Sequence, residues 1–294
     1  MSLKSLIRSF TDERWDIGLI NNDLDGILNG DEISVSWIKN PYKHSWFADP
    51  FILNANKDEI IVLAEEFDKR KMRGKISKLA IDRKSLLITE AKSVLELDTH
   101  LSFPAIIRKD DKVFIYPENS EGGGLKIYEL NTLNDKCELK GVICNERVVD
   151  AIQTDLFGRK LLFATKVPNI NGNELSIFEW NDECYLYKEK SKVAFQENVA
   201  RMAGAFFLHK GVVYRPSQEC NVQYGHAVTL QQVESCNGGF KFNEVRRIYS
   251  VHPKLKLGCH TFNVFDDLII TDALGFDRPW IRRILSKIGI NCAN

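Results

Sequence analysis

The chain has 294 residues, and lysine plus arginine equals aspartate plus glutamate at 40 each. That balance supplies no basic field for nucleic acid and no acidic excess of the kind found in unfolded tails, so nucleic acid is not an expected partner. The length exceeds a usual single domain, but all-β barrels and propellers reach it as one unit, and a single domain over 1–294 is expected.

In chain order, Ser2 to Phe10 carries an apolar stripe interrupted by charge, with no small-residue cleavage site after it. A short amphipathic helix is predicted there rather than a signal peptide, and no apolar run is long enough to cross a bilayer. Trp15–Ile20 and Ile33–Ile38 read as strands. Between them, Asn21-Asn22-Asp23-Leu24-Asp25-Gly26 is turn chemistry. Asp23, Asp25 and Asp31 lack the closing Glu of a calcium loop and read as a solvated turn. The seven cysteines (Cys137, Cys144, Cys184, Cys220, Cys236, Cys259, Cys292) are odd in number and show no zinc-type spacing. They predict free thiols in a reduced, cytoplasmic protein, although Cys137 and Cys144 could also meet across a hairpin. No metal and no cofactor is called for by these spacings.

From Trp46 onward the chain repeats itself. Trp46-Phe-Ala-Asp-Pro-Phe-Ile-Leu, Leu101-Ser-Phe-Pro-Ala-Ile-Ile-Arg, Val148-Val-Asp-Ala-Ile-Gln-Thr-Asp, Ala200-Arg-Met-Ala-Gly-Ala-Phe-Phe and Cys259-His-Thr-Phe-Asn-Val-Phe-Asp each begin a strand. Each is followed by a polar turn and an apolar second strand: Ile60–Ala64, Val113–Tyr116, Lys160–Ala164, Val212–Tyr214 and Leu268–Thr271. Third strands are predicted at Gly74–Ala80, Leu125–Leu130, Glu174–Trp180 and His226–Leu230. Pro50, Pro104, Ala151, Ala203 and Thr261 stand 54, 47, 52 and 58 residues apart. A period of roughly 50 with several strands per unit predicts propeller blades, here five. The last repeat is short of strands and the N-terminus has strands to spare, so a strand from residues 14–40 is expected to complete the fifth blade and close the ring.

In a propeller the innermost strands line a central channel, and their leading ends converge on one mouth. Those positions are Asp49, Phe103, Asp150, Arg201 with Met202, and Cys259 with His260. The second strands end on Glu65 and Glu66, Glu118, Thr165, Arg215 with Gln218 and Glu219, and Asp272. With Trp46, Tyr116, Tyr214 and Tyr224 around them, they describe a polar pocket with aromatic walls. Carboxylates and arginine suit sugar hydroxyls or phosphate, and aromatic faces suit a sugar's C–H face. Each residue also has a plainer reading: Asp49 as a turn cap, Glu118 and Glu219 as solvated strand ends, His260 as a hydrogen-bonded core histidine, Arg201 and Arg215 as partners of the acids.

The series FADPFIL, LAEEFD, FPAIIRKDDKVFIYPENS, VDAIQTDLFGRKLLFAT, YRPSQEC with YGHAV, and GCHTFN resembles the N-terminal propeller domain of plant glucosamine inositolphosphorylceramide transferases and its bacterial relatives, from about Trp46 to Asp272. More distantly, the arrangement is similar to five-bladed glycoside hydrolases of the arabinanase and xylosidase type. The latter resemblance implies a base at Asp49-Pro50, an acid-orienting residue at Asp150-Ala151, and an axial histidine, often at a metal or water site, at Gly258-Cys259-His260. Where those hydrolases carry the general acid, this chain has Arg201-Met202-Ala203-Gly204. Hydrolysis normally needs two carboxyls flanking the bond; here Glu118 or Glu219 would have to substitute. Glu219-Cys220 is also similar to a motif of invertase-like propellers but falls after a second strand instead of beginning a first.

An arginine in the acid's place favours a phosphate or carboxylate in the ligand. The expected function is therefore carbohydrate-active, in surface-glycan (polysaccharide) biosynthesis: glycosyl transfer involving an anionic sugar or sugar nucleotide. Asp49 would be base or nucleophile, with Asp150 and Glu118 as the other catalytic carboxyls, and Trp46, Glu65, Glu66, Arg201, Arg215, Gln218, Glu219, Tyr224, His260 and Asp272 on the substrate. The plant resemblance implies transfer by a separate domain, so the propeller would act alone or with a partner. The alternatives are a non-catalytic glycan or sugar-nucleotide binding module, a glycoside hydrolase with a displaced acid, and an interaction scaffold. Finally, Arg278 to Ile290 places apolar residues 280, 281, 284, 285 and 288 on one helical face beside Arg282, Arg283 and Lys287. A basic amphipathic helix over about 278–291 could dock on the propeller wall or lie on the inner membrane face, near lipid-linked glycans.

Overall fold

Strands that pack on both faces have apolar residues on both, and that pattern organises the chain. The computed structural model describes residues 13–236 and 238–276. It begins with β1 (Glu13–Ile20), a short helix α1 (Leu24–Asn29) and β2 (Val35–Trp37). The first blade is β3 (Ser45–Ala55), β4 (Glu59–Asp68), β5 (Arg73–Asp82) and β6 (Leu87–Leu95); the second is β7 (Ser102–Lys109), β8 (Lys112–Glu118), β9 (Leu125–Asn131) and β10 (Lys136–Cys144). The third is β11 (Val148–Leu156), β12 (Arg159–Lys166), β13 (Glu174–Asn181) and β14 (Leu186–Ala194), and the fourth is β15 (Phe207–His209), β16 (Val212–Glu219), β17 (Ala227–Cys236) and β18 (Gly239–Tyr249). β19 (Phe262–Phe265) and β20 (Leu268–Phe276) then join β1 and β2 in the fifth. The fold is an all-β, five-bladed propeller.

Closure is as the surplus N-terminal strands predict. β1 runs antiparallel to β20, with Ile17 opposite Asp272 and Gly18 opposite Thr271, and pairs on its other edge with β2. Gly18 is required by that second contact: a Cβ there would lie 2.4 Å from Val35 Cγ1 and 2.8 Å from the Trp37 ring. The apolar core lies between neighbouring blades. Phe163 and Phe178 pack with Phe103 and Met202 in one cluster, and Ile60, Val62 and Leu79 with Ile17 and Ile270 in another.

Three local features differ from the sequence expectations. The segment read as a turn holds α1: Asp23 caps it by accepting from Gly26 N at 2.8 Å, and Gly30 ends it at φ +96°. Asp and Asn serve turns and helix caps by the same hydrogen bond, so six helical residues between them gave no periodic signal. The fourth blade's inner strand was expected from Ala200 but is regular only over β15. Before it, Ala203 bonds Pro216 on one side and accepts from Phe262 N at 2.8 Å on the other, so the chain is shared with the fifth blade. Cys137 and Cys144 both lie on β10 and are free thiols. The helices predicted over Ser2–Phe10 and about 278–291, and Cys292, lie outside the described residues. Among the described residues no helix is long and apolar enough to cross a membrane.

The crossing at Gly204 supplies a test. A Cβ there would meet the Phe262 carbonyl oxygen at 2.1 Å, and backbone cannot step aside as a side-chain tip can. Gly204→Ala should lower unfolding free energy by about 1–3 kcal/mol or more, read from the denaturation midpoint. Gly141→Ala, with nothing within 4 Å of its Cβ, should stay within about 0.5 kcal/mol of the parent.

Candidate functional site

The repeat around Pro50, Pro104 and Ala151 is a repeat of β-bulges. Asp49, Phe103 and Asp150 stand at φ +50°, +45° and +47°. Each falls at a break in ladder register: between Ala48 and Phe51, between Ser102 and Ala105, and between Val149 and Ile152. A bulge leaves one residue unpaired and re-aims its side chain, and a non-glycine residue held at positive φ is strained. Aspartate tolerates that region better than most residues, through its short polar side chain. Two of the three bulges carry it.

Asp49 joins three blades. Its Oδ2 accepts from Phe103 N at 3.0 Å, its Oδ1 from Thr261 Oγ1 at 3.1 Å, and its own N–H donates to Asp272 Oδ2 at 3.3 Å. His260 lies between the acids, with Nδ1 at 2.7 Å from Asp272 Oδ2 and Nε2 at 3.5 Å from Asp49 Oδ1. Asp272 Oδ1 also accepts from the backbone N–H of His260 and of Thr261. All three residues are buried. Burial pushes Asp49 up to about 7; His260 opposes the rise, and the Asp150, Glu65 and Asp272 charges add to it. Burial alone would lower His260, but the Asp272 and Asp49 carboxylates reverse this and raise it to about 9. Burial would likewise raise Asp272, but His260 holds it below the usual carboxylate range. Near neutral pH the cluster is an imidazolium against one firm carboxylate, with a second acid that readily exchanges its proton.

The second aspartate is committed elsewhere. Asp150 Oδ2 accepts from Arg201 Nε at 2.6 Å and from Gln218 Nε2 at 2.7 Å. Arg201 also donates to Asn171 Oδ1 at 2.7 Å, and its guanidinium lies 4.6 Å from the Tyr224 ring centre. Burial would lower Arg201, but the Asp150 charge outweighs it and holds the arginine above its ordinary value. Burial raises Glu118, helped by Asp150 and opposed by Ser120; its oxygens accept from Ser102 Oγ and Ser120 N. Asp150 acts on both Asp49 and Glu118, so the three acids share one electrostatic neighbourhood. Glu65 belongs to it too, with Oε1 at 3.1 Å from His100 Nε2. Besides Glu65 Oε1, which meets His100 only as an ion pair, two buried side-chain oxygens among the described residues have no protein hydrogen-bond partner, Gln218 Oε1 and Thr165 Oγ1. Both end second strands, on neighbouring blades.

Other expected site residues lie apart. Glu66 points to the opposite side of β4 from Glu65, where Ser45 Oγ, Ser77 Oγ and Lys75 hold it. Glu219 is buried against His226 Nδ1 at 2.5 Å and Asn221 N at 2.6 Å. Arg215, expected on the ligand's anion, does not reach a carboxylate: it donates to the Val199 and Ala200 carbonyls and to Gln231 Oε1, between the Phe195 and Phe242 rings. Burial lowers it to about 9, and it works as a clamp on the segment before β15. Tyr116 and Tyr214 are not walls of the mouth either; the Tyr116 hydroxyl accepts from Gln153 N, and Tyr214 stacks on Phe207. Trp46 stacks on Phe67 at 4.6 Å.

Trp15 is the site residue that sequence reasoning missed. It stacks on His260 with ring centres 3.9 Å apart, and Tyr224 meets both rings edge-on. Its signal was present in the closing strand, since a residue of β1 opposite Leu274, two positions past Asp272, must sit beside the mouth. The Gly258-Cys259-His260 motif also gains a reason. A Cβ on Gly258 would lie 2.0 Å from the Gly225 carbonyl oxygen, so glycine lets the Tyr224 loop close over His260. Asp49, His260 and Asp272 could each offer one ligand atom to a cation, but protein donors already engage all four carboxylate oxygens, and a metal would have to displace the histidine proton.

The five-bladed ring shares its fold with solved glycoside hydrolases. A GH43_1 enzyme from Xanthomonas citri complexed with xylotriose superposes with TM-score 0.53 and 10% identity, over 80% of this chain and 88% of that one. The RS223 β-xylosidase gives TM-score 0.52 and 8% identity, over 79% and 92%. Likeness at such identity is one of fold. The chain belongs to the family described as glucosamine inositolphosphorylceramide transferase 1, N-terminal, which matches residues 33–264. Glucosamine inositolphosphorylceramide transferase 1 of Oryza sativa subsp. japonica is 25% identical over 231 residues, 72% of this chain and 31% of that protein. The Arabidopsis thaliana protein of that name is 24% identical over 197 residues, 65% of this chain and 26% of its own. The chain thus spans about a third of the curated relatives or less.

The cluster makes stability depend on pH in a stated direction. His260, raised from 6.5 to about 9, contributes fully below its unfolded value, and the contribution is lost as pH rises through 9. Asp49, raised from 3.8 to about 7, likewise favours the fold most at low pH and less as pH passes 7. Melting temperature should therefore fall from about pH 4 to about pH 9, with the part between about pH 6.5 and 9 flattened in His260→Asn.

Proposed function

We propose that this propeller recognises a sugar at the Asp49 mouth and takes part in glycosyl transfer, with Asp49 as the group that accepts the proton of an attacking hydroxyl. The observation that carries the reading is the placement of Asp49: a bulge holds it beside His260, on which Trp15 and Tyr224 pack, and burial tunes it to exchange a proton near neutral pH. The family's association with a glycosyltransferase supports the same class of substrate. Hydrolysis by the two-carboxyl route is a weaker fit, because Arg201 stands in the acid's place and is itself bound to Asp150. A sugar carried on a good leaving group needs no such acid.

The closed Asp150–Arg201 pair also favours a second reading, in which the propeller binds a glycan or sugar nucleotide and leaves transfer to a partner. Asp49→Asn separates the two. Because burial disfavours the Asp49 charge, and Thr261 Oγ1 can accept as well as donate, this variant should keep or gain stability above pH 7. If Asp49 is the base, turnover of a sugar-nucleotide panel should drop about 100-fold or more with sugar affinity within a few-fold. Unchanged turnover, or a loss confined to affinity, leaves the binding module.

For location we propose the inner face of the membrane, with a lipid-linked glycan as acceptor, on the strength of the basic amphipathic pattern at 278–290. Flotation with anionic liposomes should be lost in a chain ending at Asp277; equal flotation of both chains would remove this placement.

A further inference from the structure

Glu65 is a buried acid that the protein leaves unsatisfied. It is 5% exposed, its Oε1 is enclosed without a hydrogen-bond partner, and among the described residues no group donates to its Oε2. Its neighbours are served: Glu118 accepts from Ser102 and Ser120, and Asp272 from Asp49, His260 and Thr261. We propose that Glu65 is the residue that reads a hydroxyl of the sugar at Asp49, held in place for that role by Gly74 and His100. This rests on the sugar reading above and deepens it by naming the group on the ligand that is recognised.

The acid's posture has a local cause. A Cβ on Gly74 would lie 2.6 Å from Glu65 Oε1 and 2.8 Å from His100 Cε1, so the glycine leaves the gap in which the two side chains meet. His100 enters it from the loop before β7, where its own N–H donates to Glu121 Oε2 at 3.2 Å. Its Nε2 stands 3.1 Å from Oε1 without the alignment of a hydrogen bond, and its Nδ1 is turned to accept from Gly74 N at 3.1 Å. Burial lowers His100 and Glu65 raises it by more. Whichever state the ring takes, its contact is with Oε1, and Oε2 is left to a ligand.

Position joins Glu65 to the axis. It pairs with Ala48, the residue before Asp49, and its charge acts on both Asp49 and Tyr224. Glu66, one residue on, takes the other side of β4.

Chemistry then selects the partner. An ionised carboxylate only accepts, so it takes a group that donates, and a sugar hydroxyl does so where an ether oxygen or a fluorine cannot. A buried charge left without a donor is costly, and a site built around one rejects an analogue that lacks the hydroxyl. In this arrangement Glu65 holds the sugar while Asp49 keeps its shared proton.

The test is ligand-observed NMR titration of the full chain with the methyl glycosides of glucose, galactose, mannose and xylose, then with monofluoro analogues of the sugar that binds, one for each hydroxyl. One analogue should bind about tenfold or more weaker than its parent sugar. Glu65→Gln should weaken the parent sugar by a similar factor, leave that analogue within about twofold, and melt no lower than the unsubstituted protein at pH 7. Glu90→Gln, at an exposed position of β6, should change none of these. A lowered melting temperature in Glu65→Gln with sugar affinity unchanged makes the acid a structural partner of His100 and overturns the proposal, as does an equal loss for the parent sugar and every analogue. Sugar binding indifferent to Glu65→Gln removes the hydroxyl subsite and keeps the sugar reading, whereas absence of binding across all four sugars removes both.

Discussion

A buried run of hydrogen bonds passes from Asp272 through His260 toward Asp49 and on to Phe103 N, tying the fifth blade to the first and the first to the second. Two carboxylates so close inside a protein would repel and resist desolvation unless a cation or a proton joined them. Here the histidine supplies the cation and Asp49 retains a share of a proton. The same bonds that hold a shared proton at the axis therefore also close the ring. A matching pair, Asp150 with Arg201, joins the third blade to the fourth.

This double duty explains why the mouth is unequal around its circumference. On the side of the first and fifth blades, the charges are shared among acids and one imidazole and remain titratable. On the side of the third and fourth, an arginine that never loses its proton has settled the charge. Tyr224 leans on both, over Arg201 and edge-on to His260, and so spans the titratable and the ion-paired halves. Gln218 Oε1 and Thr165 Oγ1, buried without protein partners on the side of the third and fourth blades, are where a hydroxyl or a water would be satisfied.

Much of this was legible in the chain. The fifty-residue period exposed the blades because each repeat keeps its bulge and its apolar second strand, and the surplus strands at Trp15 and Ile33 pointed to closure. Asp49, Asp150, His260 and Asp272 were found because repeat alignment puts equivalent positions at one end. Side-chain direction was less legible. Glu65 and Glu66 are adjacent, and only strand register decides which faces the axis. Arg215 looked like an anion ligand because its burial between Phe195 and Phe242 depends on residues far away in sequence. Trp15 was overlooked because its partner His260 is more than two hundred positions distant, and no local pattern ties them.

The pairing of β1 with β20 has a consequence for how the molecule comes into being. Of the described strands, β1 is the earliest in the chain and β20 the latest, so the pairing between them closes the widest sequence separation in the ring, and such contacts form late. Until then β1, which carries Trp15, is held only by β2 on its other edge, and Asp272, on β20, is not yet in place. A nascent or clipped chain lacking β20 would therefore hold most of the described blades but lack Asp272, and with it the proton-sharing cluster.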